Sequence, residues 1–456
     1  MANEEHRQRL LSGQWNGWRA ANPEAVPDLE GADLGGCDLA GLDLTNAAMR
    51  GARLQGANLS RARLAKAQLE NAVFDATVLD DADCTAVMLV GAELNGSSFV
   101  RTLMTNASLR GADFSGCEMK GANLERANLA SARLDGSDLS GADLSAADLR
   151  SASFSGSTLT GGRLSKAIMD GVIFNGVNLA STELDNVSAS GAQFVGANLY
   201  GAKIVKSKFR EANFLRARIG AAEISESDLS HASFEGADLT GARIFACDAQ
   251  AADFRNAAIA ELVLEGVQLA AARLDGLDLT IVRVKGLSLV RANLSGATLN
   301  GMKMSGWRME QARFDRAELS NADLSGNNLE GATFVRANAR GVNFRDADLT
   351  KTVATHASMA HCNLSSTDLS DGDLQFADLR SANLEGADCS RCRFSGADLR
   401  DADFSKATLA GAKLWGARVG KTVFPVSALP WKLLLTVAGG LMKPKASGRR
   451  GARPND

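Results

Sequence analysis

Apolar side chains recur along this chain in steps of two and then three. From Leu29 to Phe424 every fifth residue is Leu, Phe, Ile, Met or Val almost throughout, and the residue two places before it is usually Ala, otherwise mostly Ser, Cys, Thr or Val. The step runs through 80 consecutive five-residue units without an insertion or a deletion. None of these positions carries a charge, and Asn327 is the one side-chain amide among them. Asp, Asn, Arg and Glu fill the other positions, and Gly dominates two places after the centre, as in GADLSAADLR from Gly141 to Arg150.

This spacing excludes an amphipathic α-helix, whose apolar stripe needs i, i+3, i+4 and i+7. Two residues of very short strand followed by a Gly-rich corner fit it, because the small and the central residue then lie on one face. Units of this size cannot own separate cores, so they must wind and stack coil on coil. Two tracks give the coil. Phe154, Phe174, Phe194, Phe214, Phe234 and Phe254 recur every 20 residues, and 11 of the 18 Phe share that phase. One place before the centre, Arg163, Glu183, Lys203, Glu223 and Arg243 alternate in sign on the same period, as opposite charges on adjacent strands would. Four five-residue sides per coil predict a four-sided, all-β solenoid of about 20 coils stacked at ~4.8 Å.

The A-[DN]-L-x-x units resemble the pentapeptide repeat family. The resemblance implies a right-handed quadrilateral parallel β-helix, and the lead-in WNGWRAANPEAVPDLEGADL, Trp15 to Leu34, is similar to the segment before the coils in many bacterial members. Three regions follow: residues 1–28 as an N-terminal cap, 29–424 as the repeat β-helix, and 425–456 as a C-terminal cap with a basic flexible tail. Open solenoid ends expose apolar side chains and unpaired edge groups, which is why caps are expected. One interior zone is anomalous. Between 262 and 307 the small position holds Leu262, Val267, Leu277, Val282, Leu287, Met302 and Trp307, and this bulk predicts locally widened or bent coils.

Candidate chemistry is absorbed by the repeat. ADCSRCRF, Ala387 to Phe394, contains a CxxC, yet Cys389 is a central residue and Cys392 the small residue of the next unit. All seven cysteines fall on inward positions and are read as core residues. His231, His356 and His361 fall on outward corners, so no metal set converges and no cofactor is expected. Carboxylate pairs such as Asp80 and Asp81, or Glu183 and Asp185, read as solubilising charges, and Asp143 is expected to be replaceable at little cost. The chain is read as a non-enzyme, and its reduced thiols, with no secretory segment, place it in the cytoplasm.

Function therefore falls to the surface. The reading adopted is a protein-interaction scaffold with an unknown protein partner. A DNA-mimicking modulator of gyrase, which the family resemblance suggests, is the first alternative, although the repeats total about −7 with both signs mixed on every side. A net charge of −3 and a single Tyr also disfavour nucleic-acid binding. The apolar and basic C-terminal segment gives a second alternative, contact with a membrane surface, and a route to a homodimer. On the coils themselves, charge is missing from one strip: Ser153, Ser155, Ile173, Asn175, Gln193, Val195, Asn213 and Leu215 on the Phe side, and Thr158, Thr160, Asn178, Ala180, Asn198 and Tyr200 on the next. Ile173, Val195, Tyr200 and Leu215 are the candidate interaction surface.

Overall fold

The structure, a computed structural model, describes residues 3–425. The five backbone amides of a unit account for the repeat. Leu29 donates to Ala48 O of the next coil (2.8 Å), the corner Gly31 to Arg50 O (2.9 Å), and Ala32 back to Leu29 O (3.1 Å) across the turn. Ala48, in the place before a centre, donates to Pro27 O of the previous coil (2.8 Å). One amide per unit, that of the residue after the centre, is left over, and a buried or half-buried orphan is costly. The Asp or Asn two places earlier takes it, as in Ser60 N to Asn58 Oδ1 (3.1 Å), Ser145 N to Asp143 Oδ1 (3.0 Å) and Ser405 N to Asp403 Oδ1 (2.8 Å). Outward carboxylates at this place are therefore structural acceptors as well as solubilising charges, which corrects the expectation for Asp143.

Parallel rungs join residue i to i+20, from Asp28↔Ala48 to Asp403↔Val423, on four sides of the coil. The fold is a parallel β-solenoid, and the 20-residue period read from the Phe column is its register. Turns carry a left-handed residue at every corner but one, for example Gly141 (φ 68°) and Arg316 (φ 60°), as the third residue of a type II turn requires. On one side the strands lengthen to three residues: β1 Glu183–Asp185, β2 Lys203–Val205, β3 Glu223–Ser225, β4 Arg243–Phe245, β5 Val263–Glu265 and β6 Arg283–Lys285, paired in that order. There Val187 and Ser207 give their amides to the hydroxyls of Ser207 and Ser227 (3.1 and 3.0 Å).

The interior is a set of columns. Phe154, Phe174, Phe194, Phe214, Phe234 and Phe254 stack with ring centroids 4.8–5.4 Å apart. Ser and Thr at small positions return their hydroxyls to backbone carbonyls, as Thr102 does to Leu79 O (2.8 Å). Asn327 is satisfied too, donating to Met304 O (2.9 Å) and accepting from Gly306 N (2.7 Å). Cys84, Cys117, Cys247, Cys362, Cys389 and Cys392 are buried, and Cys37 is half-buried. Burial pushes the Cys84 thiol well up and the Cys247 thiol up to about 11.

The described residues fall into two units, one running to Arg273 with Ile281–Ser288, the other Leu274–Thr280 with the residues from Leu289 onward. In the first unit the rungs end at Ala258, Arg273, Arg283 and Ser288; in the second they begin at Asp278, Asn293, Lys303 and Arg308. Of the seven bulky small-position residues, six are buried and Met302 is half-buried. The local departure lies at a corner instead: Leu279–Ile281 is a 3-10 turn. Ile281 is the one β-branched residue at a corner of the whole repeat, and a β-branched side chain is the type least able to adopt the left-handed conformation.

Ahead of the first coil lie α1 Glu4–Leu11, whose Asn3 caps the amides of Glu5 and His6, and α2 Trp15–Ala21. Their side chains meet edge groups of that coil. Buried Trp15 donates Nε1 to Asp43 O (2.8 Å), Asn16 Oδ1 accepts from Asp43 N (2.9 Å), Arg19 donates to Thr45 O (3.2 Å), and His6 Nδ1 accepts from Asp28 N (3.1 Å). The C-terminal cap and tail read from the sequence lie outside the described residues beyond Pro425.

Candidate interaction surface

The neutral strip lies wholly in the first unit. Ile173↔Gln193↔Asn213 is one ladder of it and Asn178↔Asn198 another, so residues read as neighbours from their period are neighbours in register. Several of their side-chain amides bond to one another and to the backbone. Asn213 Nδ2 donates to Gln193 Oε1 (3.2 Å) and Asn198 Nδ2 to Asn178 Oδ1 (2.9 Å). Val195 N, Leu215 N and Tyr200 N donate to the side-chain oxygens of Asn175, Asn213 and Asn198 (3.1, 3.0 and 3.1 Å). Outward beside these amides stand apolar side chains. Ile173, Val195 and Leu215 are half-buried, whereas Tyr200 is 55% exposed. The Tyr200 ring covers Gly220 of the following coil, where an added Cβ would sit 3.3 Å from it. Of the four predicted residues, Val195 and Leu215 are brought together in consecutive coils, and Tyr200 lies one corner away.

Reading the strip by missing charge passed over the exposed aromatics of the second unit. Phe376 is 57% exposed and Trp415 71%. Phe376 occupies a corner, where Gly is the norm, and its ring stacks on His356 of the preceding coil at 5.0 Å and 10°. The signal was present in the sequence as a corner column, Arg316, Arg336, His356 and Phe376, spaced by 20. The alternating charges Glu183, Lys203, Glu223 and Arg243 share a ladder as predicted, yet close no ion pair with one another. Arg163 pairs with Asp143 instead, and Arg243 lies over the Phe245 ring, 5.1 Å from its centroid.

Among the described residues no helix is long and apolar enough to cross a membrane, and no cluster of metal-ligating side chains occurs. None of the curated proteins searched matches the chain. Among solved structures, HetL from the cyanobacterium Nostoc sp., a pentapeptide repeat protein involved in heterocyst differentiation regulation, is 23% identical, with 64% of this chain and 91% of that one covered and a TM-score of 0.21. A trypsin-treated variant of QnrB1, a plasmid-mediated fluoroquinolone resistance protein, is 19% identical, with 60% and 96% covered and a TM-score of 0.24. Rfr23 from the cyanobacterium Cyanothece 51142 is 20% identical, with 29% and 90% covered and a TM-score of 0.17. The family model described as pentapeptide repeats matches in successive windows between residues 28 and 258 and again between 292 and 424. The stretch it passes over contains the Ile281 corner. With most of its length matched in this way, the chain belongs to the pentapeptide repeat family.

Proposed function

We propose that this protein is a non-enzymatic interaction scaffold of the cytoplasm, whose docking surface is the strip around Ile173, Val195, Tyr200 and Leu215. Proteins of this family are in general structural or interaction proteins. The observation that carries the reading is the pairing of Val195 and Leu215 in consecutive coils beside the 55% exposed Tyr200, on a stretch of the ladders that carries no charge. A partner that covers it displaces water from apolar atoms and buries no charge, provided it offers acceptors to the Asn175 and Asn178 amides and the Tyr200 hydroxyl, which is the condition for a favourable interface core. Tyr200 and Leu215 are its anchors. The gyrase alternative is disfavoured by the surface: basic side chains are interspersed among the acidic ones and pair with many of them, such as Arg101 with Asp81 and Arg391 with Asp371, and a DNA-like field needs unbroken negative charge.

The test is the pair Val195→Glu and Tyr200→Lys in one chain. Self-association by light scattering and partner capture are expected to fall with an unchanged melting temperature. Unchanged association would overturn the assignment. A supercoiling assay with gyrase, titrated with this protein to micromolar levels, is expected to show neither inhibition nor protection from fluoroquinolones.

A further inference from the structure

Charged residues that occupy successive corners in one column alternate in sign, and three such neighbours close ion pairs: Asp81 with Arg101 (2.7 Å), Lys206 with Glu226 (3.7 Å) and Asp371 with Arg391 (2.6 Å). One place breaks this rule. Arg316 and Arg336 are consecutive corners carrying the same charge, with φ of 60° and 57°. They stand ~4.8 Å apart along the stack, in the register fixed by Arg313↔Thr333↔Val353. Both are exposed, and neither closes an ion pair among the described residues. The one carboxylate beside them, Asp315, is engaged by Arg313 (3.4 Å) and by Val335 N (3.0 Å). His356 continues the column, its ring set against Phe376. These groups line an open depression of about 530 Å³ with Gly296 at its head.

Stacked like charges repel, and an anion held between them would turn that repulsion into attraction. We propose that the Arg316–Arg336–His356 corner binds a phosphomonoester group. A carboxylate has one charge and two oxygens and fills a single guanidinium fork. A phosphomonoester carries about −1.5 to −2 charge and three acceptor oxygens, enough for two forks and an imidazole N–H. An extended polyanion fits less well. The unpaired positive charge of the column ends after two coils, at Gly296 on one side and at Phe376 on the other, and the carboxylates of Asp373, Asp378 and Asp398 follow on the adjoining faces. The site is independent of the neutral strip, so the two assignments stand or fall separately.

The experiment uses the full chain and two variants, Arg316→Gln with Arg336→Gln, and Arg336→Asp. The second restores the alternation seen at the other corners and is expected to melt slightly above the parent. Calorimetric titration with inorganic phosphate, a phosphoserine peptide and its unphosphorylated form is expected to show saturable binding of a phosphorylated ligand to the parent only. Loss in either variant is expected to be about tenfold or more, as removal of a charge-assisted contact implies. Bound phosphate should also raise the parent's melting temperature and leave Arg336→Asp unmoved. A preference for inorganic phosphate identifies a small-molecule source, and a preference for the peptide identifies a modified protein; either supports the site. Absence of binding by both up to millimolar levels would overturn it, as would equal binding by Arg336→Asp. A single-stranded oligonucleotide bound more tightly than either, with log K falling linearly in log salt, would replace it with a polyanion surface.

Discussion

Two stretches of the repeat share one hydrophobic grammar and differ in outcome. From Asn123 to Arg163 each rung closes, Asn123↔Asp143↔Arg163, the corners Gly136, Gly141, Gly156 and Gly161 are left-handed, and Leu144 is fully buried. From Leu262 to Ser288 the inward alternation continues and Leu264↔Val284 remains in register, but the corner at Ile281 is a 3-10 turn. After it Val284 is half-exposed, while Ser288, at a place usually half-exposed, is buried. The apolar period decides which residues face inward. The corner residue decides whether the coil closes around them.

The largest expected effect comes from placing a charge inside each stretch. Leu144→Asp forfeits roughly 1.5–3 kcal/mol of apolar burial and adds the cost of burying a polar group. Val284→Asp, at a half-exposed centre, is expected to cost less than half as much. Denaturant midpoints of the two variants measure the difference. Equal losses would mean that the interior is as tight at Val284 as at Leu144, and the contrast would fail.

The corners can be exchanged next. At Gly141 an added Cβ meets nothing within 4 Å, so Gly141→Ile tests conformation alone and is expected to cost about 1–2 kcal/mol, the left-handed penalty of an L residue. Ile281→Gly is expected to stabilise by up to about 1 kcal/mol and to raise hydrogen-exchange protection of Arg283 and its neighbours. If Ile281→Gly destabilises, the 3-10 turn is a preferred conformation of this segment and the explanation from β-branching is wrong.

Asp143 gives the next smaller effect, with a pH signature. Its carboxyl sits partly desolvated, which alone would raise its pKa; hydrogen bonds from Arg163 and Ser145 and the Arg163 charge outweigh this and hold it below the usual 3.8. Because the folded pKa is the lower one, the stabilisation is fully present above the unfolded value and is lost as pH falls through the folded one. Asp143→Ala is expected to cost about 1 kcal/mol at pH 7, and the gap between variant and parent should narrow only below about pH 4. Asp143→Asn, which keeps the acceptor for Ser145 N, is expected to retain part of the stability.

The inward positions, the 20-residue register and the burial of the cysteines were legible because each rests on a periodic track of many residues. Phe154 to Phe254 repeat one choice six times. The acceptor role of Asp and Asn was not, since their identity reads as surface polarity until the orphan amide two places on is accounted for. The irregular segment was legible only as bulk at Leu262 and Val282, whereas a single β-branched residue at the corner position marks the turn that changes. Within the neutral strip, proximity followed from register. Exposure did not, because Val195 and Leu215 project from places whose neighbours half-cover them.

The smallest effect concerns the outward charges. Sign alternation at Glu183, Lys203, Glu223 and Arg243 suggests a ladder of ion pairs, yet no pair closes there, whereas Arg391 meets Asp371 through two hydrogen bonds of 2.7 and 2.6 Å. Exposed pairs contribute about 0–1 kcal/mol, most when bidentate. Lys203→Ala is therefore expected to leave the midpoint unchanged within about 0.5 kcal/mol, below the corner and interior variants. Lys203→Glu differs: it sets three carboxylates in register through Glu183 and Glu223, which is expected to cost a few tenths of a kcal/mol. That cost should vanish in molar salt, where the Debye length falls to about 3 Å. The Arg391→Ala variant is expected to lose more than Lys203→Ala at low salt. A larger loss at Lys203 would show that alternation itself, without closed pairs, contributes to the stacking of these coils.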